Sequence, residues 1–243
     1  MMKYSYDLHI HSCLSPCGSD DSLPSNIVGM AALKGLDIIA VTDHNSCGNS
    51  RAVDKLGNEY GVLTVPGMEL TTAEEVHVVC LFHNIESAEE FSEYVHSKLL
   101  PIENNEAAFG KQQFADEDDN IIKTEPLLLI NATEIPFDGV YDIVKTYSGI
   151  MIPAHIDKSS TSVLSNMGFI PPDSKFSTAE IKHIGYKERL IGENPYLNDC
   201  NIITNSDAHY LEDINEPINF LELREKSIDC LLDTFNKKYI KGR

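Results

Sequence analysis

The sequence predicts an α/β domain in which about seven mostly parallel strands, separated by helices, close into a barrel. Three observations carry this reading. Short β-rich runs alternate with helix-like stretches along the chain. The run Leu36–Thr42 is almost continuously apolar, as expected for a strand buried on both faces. His, Asp and Glu residues recur where the strand-like runs end, and barrels of this kind gather their functional groups at the carboxyl ends of the strands. A chain of 243 residues suits one large domain better than two ordinary ones, and needs neither disulfide nor structural metal to fold.

The elements follow in order. Tyr4–Ile10 is the first strand and leads into a loop of Cys, Ser, Pro, Gly and Asp. Asn26–Lys34 is helical, with Ser25 as N-cap and Gly35 just past its end. Leu36–Thr42 is the second strand, Ser50–Tyr60 a helix and Val62–Pro66 the third strand. Val76–Phe82 makes a fourth strand, followed by an amphipathic helix over Ala88–Leu100. Gln112–Lys123 carries Asp-Glu-Asp-Asp-Asn between two short runs, which suggests a surface hairpin or loop insertion. Phe137–Tyr147 is helical and Gly149–Ala154 a buried strand. Further strands are expected at Ala179–His183, Asn201–Thr204 and Ile218–Leu223, with a last helix from Ser227 to Asn236.

Bulk properties narrow the function classes. A formal charge of −19 repels polyanions, because nucleic-acid affinity comes largely from Lys and Arg neutralising phosphates, so a long duplex is expected to be a poor partner. A small phosphorylated ligand at a locally positive site remains compatible, since bound cations reverse the local field. Apolar runs such as Val78-Val79-Cys80-Leu81-Phe82 fall far short of the ~18 residues of a membrane helix, so no membrane partner is expected. No apolar signal core precedes the first histidine motif, which points to a cytoplasmic location. Cys13, Cys17, Cys47, Cys80, Cys200 and Cys230 lack CxxC spacing and read as free thiols.

The chemistry sits at the strand ends. His9 and His11 close the first strand, Asp43 and His44 follow the second, and Glu69 follows the third. His77 opens His-Val-Val-Cys-Leu-Phe, His155 ends Gly-Ile-Met-Ile-Pro-Ala, and Asp207 and His209 follow Asn-Ile-Ile-Thr-Asn-Ser. Residues i and i+2 on a strand share a side, so His9/His11 and Asp207/His209 each offer two ligands to one cavity, with Ile10 and Ala208 facing away. One such pair is weak testimony. Several strand ends of the same donor chemistry are strong, and imidazole with carboxylate suits Zn²⁺, Mn²⁺ or Fe²⁺.

The order Tyr-Asp-Leu-His9-Ile-His11-Ser, Ser-Asp20-Asp21-Ser, Val-Thr-Asp43-His44-Asn, Pro-Gly-Met-Glu69-Leu-Thr, Pro-Ala-His155 and Ser-Asp207-Ala-His209 resembles the PHP (polymerase and histidinol phosphatase) family. The resemblance runs from residue 4 to about residue 210 and is weakest between 84 and 148. It implies a distorted (β/α)7, TIM-like barrel holding two or three divalent ions. It also implies a single domain over residues 1–243, with 84–148 as a small inserted cap. By position, His9, His11 and Asp207 would bind one ion, with Glu69 bridging to a second completed by His77 and His155. Asp20, His44 and His209 would bind a third. Asp20 is preferred to Asp21 because Asp21 stands where the family's Ser-Asp-Gly has glycine, and His77 to His83 because it opens the strand.

A phosphoesterase acting on a small phosphomonoester or nucleotide follows from the resemblance, with Glu69, His155 and Asp207 at the catalytic centre. A water between two cations would lose a proton near pH 7 and supply hydroxide to phosphorus. Lys158 and Arg51 are candidate phosphate contacts, with an ordinary surface cation as the alternative for each. Asp43 either orients a ligand or caps a helix. Three other readings stay open: exonuclease-like action on short 5′-phosphorylated oligonucleotides, an amidohydrolase, and a non-catalytic metal-binding module.

Overall fold

The computed structural model describes residues 1–238. Strand β1 (Met2–Ile10) is followed by helix α1 (Pro24–Lys34), β2 (Ile38–Val41), α2 (Ser50–Tyr60), β3 (Leu63–Thr64), β4 (Gly67–Thr71) and β5 (His77–Phe82). Then come α3 (Ile85–His96), α4 (Glu106–Phe109), β6 (Gln113–Ala115), β7 (Ile121–Thr124), α5 (Phe137–Thr146) and β8 (Gly149–Pro153). The chain continues through α6 (Val163–Asn166), β9 (Thr178–Glu180), α7 (Lys187–Glu193), β10 (Asn201–Ile203), β11 (Phe220–Leu223) and α8 (Ile228–Phe235). Content is mixed α/β, as the sequence predicts.

Among the described residues the strands pair in four sheets, ordered β11-β1-β2-β3, β9-β10, β4-β5-β8 and β6-β7, and none of these is closed. The sequence led to one mostly parallel barrel, and the expectation that its strands are mostly parallel needs correction. β1, β2 and β3 run parallel, and so do β9 and β10, but β4, β5 and β8 pair antiparallel throughout. The cause lies in Gly67–Thr71, read from sequence as a loop beyond a longer third strand. It is a fully buried strand, and the turn through Glu75 returns the chain directly to β5. So short a connection permits only an antiparallel pair.

Strands from three sheets nevertheless share one interior, where Leu8, Ile38, Ala40, Val79, Leu81, Ile152 and Ile203 pack together. Alternate residues of β5 take the other face. Val78, Cys80 and Phe82 pack with Phe91 and Val95 of α3 and with Val140 and Val144 of α5. The α1/α2 layer covers Ile39 and Val41 of β2, and Ile10 and Ala208 lie in that same cluster, on the side away from the histidines flanking them.

Gly35 closes α1 in the left-handed region (φ 79), where L side chains are strained. Ser25 is not the cap. Leu23 occupies that position with Pro24 in the first turn, and the Ser25 hydroxyl bonds Asp119 from the β6–β7 hairpin. The six cysteines are free thiols. Among the described residues no helix is long and apolar enough to cross a membrane.

Candidate metal centre

Two isolated parallel bridges, Ile10 to Ala208 and His44 to Glu69, tie the sheets together where the predicted ligands lie. Around them His9, His11, His44, Glu69, His77 and His155 are buried, with Asp207 and His209 at the opening. The Glu69 carboxylate is the hub. Its Oε1 lies 2.9 Å from His77 Nδ1, 3.1 Å from His155 Nε2 and 3.2 Å from His9 Nε2. Its Oε2 lies 3.1 Å from His44 Nδ1 and 3.4 Å from His11 Nε2. Asp207 Oδ1 stands 3.4 Å from His11 Nε2 and 3.5 Å from His9 Nε2.

Three sets of donors have ligand atoms within 4.8 Å of one another: His9/His11/Glu69, His44/Glu69/His77 and His11/His44/His209. Buried polar atoms are ordinarily hydrogen-bonded. Here His9 Nε2, His11 Nε2, His44 Nδ1 and His155 Nδ1 are buried without a hydrogen-bond partner. Imidazole lone pairs converging on shared carboxylates in a buried pocket fit divalent cations.

The outer partners fix the rings. The His9 Nδ1–H points to Glu180, 3.1 Å from Oε2, which leaves Nε2 to face the cluster. Glu180 also accepts the His155 backbone N–H at 3.1 Å and Asn205 Nδ2 at 2.7 Å, and Asn205 Oδ1 accepts Leu8 N–H at 2.8 Å. His11 Nδ1 lies 2.9 Å from Ser15 Oγ, and that hydroxyl donates to Asp43 Oδ1 at 2.7 Å. Asp43 also accepts the Ser12 N–H and hydroxyl, so its carboxylate serves the His11 turn and no helix cap. Three of the turns at the cluster hold non-glycine residues at positive φ, namely Asn45 (49°), His155 (29°) and Asp207 (57°). Such strain is held where function demands it.

Charge is arranged consistently among these groups. Burial would raise Glu69, but His77, His9 and His44 hold it well below the usual carboxylate range. Asp207 is likewise held low, by His9 and His11 against burial. Burial pulls His9 downward, yet Glu180, Glu69 and Asp207 together raise it well above the ordinary imidazole value. Burial dominates at His44 and lowers it, and burial with the nearby His11 lowers His209 to about 4.

The structure brings together eight of the nine predicted donors, and Asp20 is the exception. Its half-exposed carboxylate is paired with Lys111 Nζ at 2.8 Å, on the surface of the loop after β1. His83, set aside in favour of His77, pairs with Asp229 at 2.7 Å. Lys158 Nζ reaches Asp207 Oδ2 at 3.1 Å. Arg51 is not at the cluster: its exposed guanidinium is clamped by both oxygens of Glu89 at 2.8 and 2.7 Å. Glu180, Ser15 and Asn205 escaped the sequence reading. A lone carboxylate between Ala179 and Ile181 was the available signal for Glu180; nothing in the sequence marked Ser15 or Asn205.

A model of the PHP domain matches residues 7–157, which takes in His9 to His155 and stops short of Asp207 and His209. An uncharacterized protein of Methanocaldococcus jannaschii is 38% identical over 86 residues, 32% of this chain and 50% of that protein. The lesion-specific endonuclease EndoQ of Pyrococcus furiosus superposes with a TM-score of 0.72 at 17% identity, covering 97% of this chain and 56% of that one. Endonuclease Q in complex with a 27-mer duplex, an abasic lesion at its active site, superposes with a TM-score of 0.64 at 16% identity, over 96% of this chain and 56% of that one. A Bifidobacterium adolescentis protein assigned to the metal-dependent phosphoesterases superposes at 0.60 and 16% identity, over 98% of both chains. This chain thus spans about half the length of the archaeal relative and of endonuclease Q. The expectation that acidity excludes a long duplex is corrected here, because an enzyme with this fold holds duplex DNA. Net charge is a property of the whole surface, whereas a substrate meets only the rim of the site.

Proposed function

Because the chain belongs to the PHP domain family, we propose that it hydrolyses a phosphoester at a centre of two or three divalent ions, with Glu69, His155 and Asp207 at its heart. One observation carries this reading: imidazoles from five places in the chain converge on the two oxygens of buried Glu69, while four buried ring nitrogens lack hydrogen-bond partners. Bound ions would supply a water acidic enough to ionise near pH 7 and positive charge for the non-bridging phosphate oxygens. The chain's own groups do the rest. Glu69 gathers the five imidazoles that would hold the ions, Glu180 presents His9 through Nε2, and Asp43 through Ser15 orients His11. Lys158 stands beside Asp207, where its ammonium would meet an anionic substrate.

We further propose that residues 1–243, of which 239–243 lie outside the described residues, act as one domain and that 84–148 caps the site. Supporting contacts run from that segment to the loop after β1 and to α2: Gln113 N–H to Cys13 O at 2.9 Å, Ala115 N–H to Asn49 Oδ1 at 2.9 Å, and Lys111 to Asp20. Phosphomonoesters, nucleotides and nucleic-acid phosphodiesters are the substrate classes to compare.

The test is to strip the protein with chelator and restore Zn²⁺, Mn²⁺, Fe²⁺ or Mg²⁺ separately. Release of product from phosphomonoesters, nucleotides and oligonucleotides is then followed. Metal-restored hydrolysis that disappears in His9→Ala and Asp207→Ala is the expected result. Tight metal binding without hydrolysis of any phosphoester would overturn the reading in favour of an amidohydrolase or a binding module.

A further inference from the structure

Beyond β9 the chain runs along the rim of the cluster. Asp157, two residues past His155, accepts the backbone N–H groups of Lys182 at 2.6 Å and His183 at 2.9 Å. The Lys182 ammonium donates to Ser206 O at 2.5 Å and stands 3.9 Å from Asp207 Oδ2. The segment that follows is therefore anchored to two turns that carry candidate ligands.

That segment is chemically unlike the rest of the surface. The ring of Tyr186 is met edge-on by His183 at 5.3 Å, and the Arg189 guanidinium lies over it at 4.7 Å. Tyr186 is 44% exposed and Ile184 61% exposed. Residues Lys182–Arg189 carry three Lys/Arg against one acid, the exposed Glu188, in a chain with 19 against 38. Glu193 approaches Arg189 no closer than 3.9 Å, which leaves the guanidinium its hydrogen-bonding capacity.

We infer that Lys182–Arg189 is a ledge for an unpaired nucleic-acid strand, next to the phosphodiester that enters the metal centre. A base stacks on the Tyr186 face, and backbone phosphates meet Lys182, Lys187 and Arg189. A lone phosphomonoester would use only the metal centre and Lys158. An exposed aromatic ring with a guanidinium over it and lysines nearby in the chain suits a strand with splayed bases, since every base offers a π-face and every linkage a negative charge. Base-paired nucleotides hide those faces. This inference rests on the phosphoesterase reading and specifies its substrate.

The experiment uses the metal-loaded full chain. Binding of a fluorescent single-stranded oligodeoxynucleotide of about 12 residues, with phosphorothioate linkages that resist cleavage, is followed by anisotropy. Turnover is measured in parallel on the ordinary oligonucleotide and on bis(p-nitrophenyl) phosphate, which carries one phosphate and no nucleobase. Tyr186→Ala should weaken oligonucleotide binding roughly tenfold and raise KM alike, and Tyr186→Phe should restore both. Turnover of the small diester should change less than twofold. The plot of log Kd against log salt should have a slope of magnitude about 2, reduced by roughly 0.7 in Arg189→Ala.

Oligonucleotide binding unchanged in a Tyr186→Ala/Arg189→Ala double variant would overturn the ledge. So would tighter binding of the matching duplex with no loss in Tyr186→Ala. Failure of the wild-type protein to cleave either diester would count against the phosphoesterase reading instead, and the anisotropy result would still decide the ledge.

Discussion

Glu69 is the residue on which the rest of the cluster leans, since each of its oxygens faces more than one imidazole. Glu69→Gln keeps the volume but removes the negative charge that faces the five imidazoles. Metal-restored turnover should drop at least about 100-fold, with a reduced ion content by elemental analysis; unchanged turnover at saturating metal would refute its role. Glu180 acts one layer out. Glu180→Gln should preserve folding and lower metal affinity by about 10–100-fold, read by competition with a chelating dye. An affinity equal to wild type would mean that the His9 ring is held by packing alone. His9/His11 were legible because their spacing matches a strand's period of two, and His44, Glu69, His77 and His155 because of their places and order along the chain. Asp20 shows the limit. Its position in the chain fits the family pattern, but where its carboxylate goes depends on Lys111, about ninety positions away. Glu180 looked like one more acid in a chain with 38 of them.

At the scale of elements, helices and buried strands were legible because periodicity and end signals agree there. Ser50–Tyr60 and Gly35 are examples, the first bounded as expected and the second at its left-handed cap. β4 was not legible, since its five residues show no alternation and include a glycine and a charged residue. Gly67 is required there by close approach: a Cβ would meet Leu81 Cδ2 at 2.7 Å and Cys80 O at 2.8 Å. The antiparallel sheet that carries Glu69 and His77 is held against its helices by aromatic packing. Phe82 is fully buried, its ring centroid 5.0 Å from that of Phe91. Phe82→Ala should cost about 3–5 kcal/mol in a denaturant titration, because the pocket between α3 and α5 cannot collapse onto a methyl group. The variant that remains folded should still bind metal stoichiometrically, since Phe82 faces away from the centre. A loss below about 1 kcal/mol would show that the layer repacks.

For the whole molecule, the pH response follows from how the cluster is charged. In chelator-treated protein His44 and His209 are lowered, His209 to about 4, so between pH 6.5 and about 4 the unfolded chain binds more protons at these rings than the folded one. Their contribution therefore falls as the pH drops through that window. His9, raised by its carboxylates, acts oppositely: its contribution is complete below about 6.5 and is lost as the pH rises through its folded value. Glu69 and Asp207, held low, stay charged across the window and lose their contribution only at more acid pH. The melting temperature of the ion-free protein should thus fall by about 5 °C or more from pH 6.5 to 4.5, and less in His209→Gln. A flat profile would mean that these rings relax into solvent when no ion is present.

The bridge from Ile10 to Ala208 joins the two ends of the ligand set. During synthesis, His9 and His11 leave the ribosome about 200 residues before Asp207 and His209, an interval of roughly 10–40 s at ordinary elongation rates. Through that time the nascent chain offers a bare HxH pair with no carboxylate from the far end to complete its shell. The cluster therefore closes only after residue 209 has been made, and any ion it takes would be drawn from the pool present then and not from the pool present when His9 emerged.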